Sequence, residues 1–374
     1  MRISGQLKPR PLLGPLKRLL GMAAATAALL LLPLVAPAQE DDPVAALLAY
    51  LGIDEKKLDS LGENPILVEI PVGDRSRQAA FAGLIRVPGD DARLFLGPAP
   101  GAPPTLIDPA ASGYFSNPAE LQNVASLELD GDDYEVLAEC EPANCRFKLD
   151  AGGIQEAHSI DWKAAGANQR FLGWFQQFLV QSVNQYRQAG MAGLLTYADK
   201  KQPFPVAQGI AKLDEEAAPL LRLYPSIQEA LGQAPPPADP DAPDADRVLW
   251  SVSDFGYRPT LSVDRVIVRH GTQSTNLGSI MALENLYSNH YLAGRLQLGG
   301  TLRSEARSGA AAHYFWILDQ ILFDDELGGI KRSLLSRGLK SNLSDRLKAI
   351  RQAGLSAEKV GQGAEDEKET PGVD

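Results

Sequence analysis

The last third of the chain restricts the fold most, because three stretches of strand-like alternation run into one long helical stripe. Residues 261–269, 283–298 and 313–321 carry branched and aromatic residues at strand spacing. Leu327, Ile330, Leu334, Leu339, Leu343, Leu347 and Ile350 then recur on one face of a helix. Lys331, Arg332, Arg337, Lys340, Arg346, Lys348 and Arg351 decorate the rest of that helix. The expected class is α+β: an antiparallel sheet, a helical middle region and a long C-terminal amphipathic helix.

Earlier segments are less uniform. Residues 42–61 read as helix with a break near Gly52, and 66–70 and 79–87 read as strands around a Gly73-Asp74 turn. The six prolines in 97–118 make that stretch a loop, and further strands are expected at 126–129 and 146–149. Phe171, Phe175, Phe178, Leu179, Val183 and Tyr186 share one face of a helix over 170–187, with shorter helices at 206–213 and 217–231. The organisation expected is a single α+β domain over 39–355, with a helical insertion at about 160–232 and a Pro/Asp-rich linker at 235–246. Residues 356–374 are polar and acidic and are expected to be a disordered tail.

The first 38 residues carry an address. Arg2, Lys8, Arg10, Lys17 and Arg18 precede an apolar run from Leu19 to Val35, and Ala36-Pro37-Ala38 follows it. This is the order of a secretory signal peptide cleaved after about Ala38, giving a periplasmic or secreted protein. An uncleaved N-terminal anchor is the alternative, although the run is short for a bilayer span. Cleavage would leave 31 basic residues against 47 acidic ones, a net charge of −16 in place of −11 for the whole chain. Such a balance opposes general nucleic-acid binding. Cys140 and Cys145 are the only cysteines, and in an oxidising compartment they are expected to form a structural disulfide worth on the order of 2 kcal/mol.

Motifs of catalysis are missing from the sequence. His158, His270, His290 and His313 fall in no zinc-binding spacing, and there is no nucleophile elbow, P-loop or dinucleotide fingerprint. No cofactor, metal site or catalytic residue is therefore assigned. The densest polar-aromatic cluster is Tyr287, Asn289, His290 and Tyr291, with Glu284 before it and Arg295 after it. In a strand, Tyr287, Asn289 and Tyr291 would share one face and line a pocket, with His290 on the other. Packing in the core with satisfied polar tips is the competing reading. Tyr197-Ala-Asp-Lys200 could bring Asp199 and Lys200 to a site, or be a polar turn.

Cys140-x4-Cys145, Phe147-Lys148-Leu149, Tyr197-x-Asp199-Lys200, Trp250-Ser251, Phe255-Gly256-x-x-Pro259, Tyr287-x-x-His290-Tyr291 and Gly328-Gly329-x-Lys331-Arg332 occur in that order over roughly 65–350. The set resembles an uncharacterised family of secreted bacterial proteins, which implies no activity. Members of that family usually carry an aspartate or arginine just ahead of the Gly-Gly pair; here Asp324 and Asp325 stand near that place. The order of elements also looks like the START-type helix-grip arrangement, in which a curved sheet wraps the last helix around an apolar cavity. That likeness implies an apolar or amphipathic ligand such as a lipid in the cell envelope, bound by Tyr287, Asn289, His290, Tyr291 and Arg295. Two alternatives are a periplasmic hydrolase using His290 with Tyr287 or Asp319, and an envelope interaction or assembly protein. The sequence is silent on oligomeric state.

Overall fold

The alternating stretches form strands of one large antiparallel sheet. The computed structural model describes residues 42–89, 103–235, 245–254, 258–270, 276–305 and 311–366. Residues 1–38, expected to be a signal peptide, and most of the expected Pro/Asp linker (236–244) lie outside the described residues. The strands are β1 (Ile66–Ile70), β2 (Gln78–Val87), β3 (Ala111–Tyr114), β6 (Asp246–Asp254), β7 (Pro259–Arg269), β8 (Leu277–Ser288), β9 (Leu292–Glu305) and β10 (Ala311–Phe323). Their order is β1-β2-β10-β9-β8-β7-β6-β3, every neighbour antiparallel. β4 (Thr196–Tyr197) and β5 (Phe204–Pro205) make a separate two-residue pairing. β10 thus returns to the middle of the sheet and joins the first hairpin to the later meander.

Among the described residues seven α-helices accompany the sheet: α1 (Pro43–Tyr50), α2 (Gly131–Ala138), α3 (Ala151–Ser159), α4 (Ala167–Ala189), α5 (Val206–Leu221), α6 (Pro225–Leu231) and α7 (Gly329–Asp366). One face of the sheet is covered by α1, α5 and α6 against Leu84, Leu298, Trp316 and Leu318, and by α2 to α4 against Trp250, Leu261, Val263 and Leu286. The other face carries Phe81, Ile85, Phe315 and Ile317, and there Leu343, Leu347 and Ile350 of α7 pack beside Leu106. A Cβ on Gly83 would lie 2.5 Å from Leu347 Cδ1, so the bare glycine is what allows α7 to sit this close to β2. Leu106 fills the space above Gly299 in the same way, at 2.7 Å from where a Cβ would be.

Several sequence expectations change. Residues 283–298 are not one strand: β8 ends at Ser288 and β9 begins at Leu292, with Tyr291 in the left-handed region at φ 55°. The alternate-face argument for Tyr287, Asn289 and Tyr291 fails for that reason. Residues 126–129 and 146–149 are irregular, because the apolar side chains of Leu127, Phe147 and Leu149 bury against helices rather than into a ladder. Helical structure between β3 and β6 starts at Gly131, well before 160, and α5 runs unbroken to Leu221 through Pro219. The loop over 97–118 contains β3, and α7 continues to Asp366 where a tail was expected from 356. The disulfide between Cys140 and Cys145 is formed, with the Cα atoms 4.5 Å apart. Among the described residues no helix is long and apolar enough to cross a membrane.

Candidate functional site

Four stretches distant in sequence are laced together at the end of the sheet where β8 turns into β9. Ser288 Oγ donates to the His290 carbonyl (2.9 Å) and Asn289 Oδ1 accepts from the Leu261 amide (2.8 Å), which fixes the turn. The 145–149 segment is held to it by Lys148 N donating to the Asn289 carbonyl (2.9 Å) and Tyr287 Oη donating to the Lys148 carbonyl (2.8 Å). Residues 197–199 join through Ser288 N donating to Tyr197 Oη, Cys145 N to the Asp199 carbonyl and Ala198 N to the Leu149 carbonyl. Asp324 N donates to the Tyr291 carbonyl at 2.9 Å, bringing in the exit from β10. Buried amides that find partners in this way hold irregular backbone as firmly as a ladder does.

His290 sits inside this lacing. Its Nε2 lies 2.7 Å from Asp133 Oδ1 and its Nδ1 lies 3.1 Å from the Arg146 carbonyl, while Phe147 packs edge-on at 5.4 Å. Both ring nitrogens therefore face oxygen acceptors, and the residue is 3% exposed. Asp319, the other acid considered beside it, instead accepts from Arg295 Nε (2.9 Å), Arg295 Nη2 (2.6 Å) and Gln297 Nε2 (3.0 Å). Arg295 lies on the α7 side of the sheet, away from Tyr287, which packs against Phe175 and Phe178 of α4. Burial pushes the Tyr287 hydroxyl far above its ordinary range, so it stays protonated and keeps its proton to donate.

The charged groups gathered at this end are different residues. Lys148 Nζ donates to Asp324 Oδ2 at 2.9 Å and stands 4.5 Å over the Tyr197 ring, its side chain 3% exposed. Lys200 Nζ reaches the Asp324 carbonyl (3.0 Å) and Asp325 Oδ1 (2.5 Å). Burial alone would lower the Lys200 ammonium, but the hydrogen bond to Asp325 and the charges of Asp324 and Asp325 outweigh it and raise its pKa. Asp199 is buried, and that burial raises its carboxyl despite the opposing charge of Lys148. A raised carboxyl beside a buried ammonium in a cleft is the kind of arrangement found at binding and reaction sites.

Two cavities open here and share Phe323, Asp324 and Asp325. The larger, about 410 Å³, is bounded by Arg77, Lys148, Asp199, Lys200, Phe204 and Lys212. The smaller, about 180 Å³, is mostly apolar and lies between Tyr291, Leu292, Leu327 and the first turns of α7 at Lys331 and Leu335. Of the sequence candidates, Tyr291, Asp199 and Lys200 border these cavities, whereas Tyr287, Asn289, His290 and Arg295 do not line either. Lys148, Arg77, Lys212 and Phe323 were not legible as site residues. Among the described residues no group of three or more His, Cys, Asp or Glu side chains is placed to hold a metal.

Gly209 sets the wall of the larger cavity. A Cβ there would lie 2.4 Å from the Ala293 carbonyl oxygen, so only glycine lets α5 rest its backbone on β9 and carry Gln208 and Lys212 to the cavity. Alanine would ordinarily favour a helix interior by about 1 kcal/mol, but this clash is with backbone and cannot be relieved by a rotamer change. Gly209→Ala is expected to cost about 2 kcal/mol in urea unfolding; a stabilised variant would refute the contact. No protein-family model matches the chain, and no curated protein does.

Proposed function

We propose that this protein binds an amphipathic small molecule outside the cytoplasm and does not transform it. The observation that carries the reading is the pair of adjoining cavities, one mostly apolar and one lined by charge, with Phe323, Asp324 and Asp325 common to both. A ligand with an apolar end and a polar head would occupy the two together, each end meeting the surroundings that favour it. The strand order, with α7 resting on one face of the sheet, supports the likeness to a START-type helix-grip arrangement. The disulfide and the leader-like residues 1–38 support an exported, envelope-associated location.

Hydrolysis by His290 is the weaker reading. The ring has no free nitrogen for proton transfer and borders neither cavity. Native mass spectrometry of the full chain purified from the envelope fraction tests the proposal. A co-purifying amphiphile, lost when the protein is denatured, is expected; repeated recovery of bare protein would overturn it.

A further inference from the structure

We propose that the charged cavity takes an anionic head group, a phosphate or carboxylate, held between Arg77 and Lys212. The proposal rests on the amphiphile reading above and names its head-group chemistry. The formal charges around the cavity are not equally available. Lys148 is occupied by Asp324, and Lys200 by Asp324 and Asp325. Asp74 stays ionised, its carboxyl held low by hydrogen bonds from the Ser76 hydroxyl (2.6 Å) and amide (3.0 Å) and further by the charge of Lys212. Asp199 is buried, and burial favours its neutral form. Arg77 and Lys212 form no ion pair or side-chain hydrogen bond with the described residues, and both border the cavity. An acidic chain that lines this cavity with two cations free of direct ion pairs offers an anion a local site against its overall repulsion.

The backbone segments that carry the two cations are also held in place relative to each other. Arg77 lies in the turn before β2, where Gln78 N donates to the Asp74 carbonyl and Phe323 N donates to the Arg77 carbonyl at 2.7 Å. Gln78 Oε1 accepts from Asp74 N at 2.9 Å. From the same side chain, Nε2 donates to both carboxylate oxygens of Glu216 at 2.8 and 2.9 Å. Glu216 is one helical turn beyond Lys212 on α5, so one glutamine couples the Arg77 turn to the helix that carries Lys212. With the backbone fixed in this way, the freedom lost on binding is that of the two side chains alone. Guanidinium and ammonium donors suit phosphate and carboxylate oxygens, by fork and by point charge respectively.

The test titrates the full chain by calorimetry with dodecyl phosphate, dodecyl maltoside and inorganic phosphate, alongside the Arg77→Gln/Lys212→Gln double variant. Dodecyl phosphate is expected to bind about tenfold or more tightly than dodecyl maltoside, and the double variant to erase that difference without weakening the maltoside. Equal affinity for both detergents, unchanged in the variant, would overturn the head-group assignment and leave the amphiphile reading standing. Inorganic phosphate bound as well as dodecyl phosphate, with the same loss in the variant, would support the anion site, show its source to be a free anion and remove the amphiphile reading. Absence of binding by all three would overturn both.

Discussion

Lys148→Met is expected to destabilise the protein by about 3 kcal/mol or more. Methionine keeps most of the volume, so the loss isolates the charge. In the native protein the ammonium is 2.9 Å from Asp324 Oδ2, 4.5 Å above the Tyr197 ring, and nearly closed off from water. Removing it leaves Asp199 buried with only the weaker opposing charge of Lys200. Asp324 keeps only Lys200, at 3.4 Å, as a charged partner. A buried carboxylate deprived of its counter-ion costs far more than the net worth of the pair. Asp324→Asn in the Lys148→Met background should therefore recover part of the loss, giving a coupling energy of at least about 1 kcal/mol in a double-mutant cycle. Additive effects, or a single-variant cost under about 1 kcal/mol by urea unfolding, would show the pair to be dispensable.

What the sequence discloses and what it hides follows from the range of the interactions. The strands 66–70, 78–87, 259–269 and 311–323 were legible because alternation is a local consequence of facing two different layers. The β8–β9 turn was not, since Ser288-Asn-His-Tyr291 holds no glycine or proline, and Tyr291 itself takes the left-handed conformation. Helix α2 was hidden because Asp130-Gly-Asp-Asp reads as a turn; in the structure Asp130 caps the helix by accepting from Asp132 N at 2.9 Å. The site fails in a different way. Lys148 and Asp324 are 176 residues apart, and nothing local to either marks it as half of a buried pair. Tyr197-Ala-Asp-Lys200 offered either a site or a polar turn, and what decides between them is the 145–149 segment and the β10 exit that fold onto it. The His290–Asp133 contact spans a similar distance and replaces the Asp319 partnership that sequence alone had suggested.

A second large effect is expected in the pH dependence of stability, and it lies away from the cavities. Glu284 of β8 is buried under α4 and α5, where Oε2 accepts from Tyr186 Oη at 3.1 Å and Oε1 has no hydrogen-bond partner. Asp214 of α5 likewise leaves Oδ1 without one. Arg265 does not neutralise this pair, because its Nε and Nη2 bind Asp246 (2.9 and 2.7 Å) and its Nη1 serves Tyr186 and the Gln233 carbonyl. Burial first, and the charge of Asp214 second, push the Glu284 carboxyl up to about 8 from an ordinary 4.5. Its folded pKa is above its unfolded one, so its contribution to stability is complete below the unfolded value and is lost as pH rises through the folded one. Asp214, raised to about 6 by burial, adds a loss of the same sign at lower pH. Between about pH 5 and 9 the native chain is expected to lose on the order of 3 to 5 kcal/mol on this account. Glu284→Gln keeps the shape and an acceptor for Tyr186 but cannot ionise. It should match the native chain within about 1 kcal/mol at pH 5 and exceed it by about 3 kcal/mol at pH 9, as read from urea unfolding at the two pH values. Identical pH slopes in the two proteins would mean that Glu284 is ionised in the fold after all, with a donor for its second oxygen.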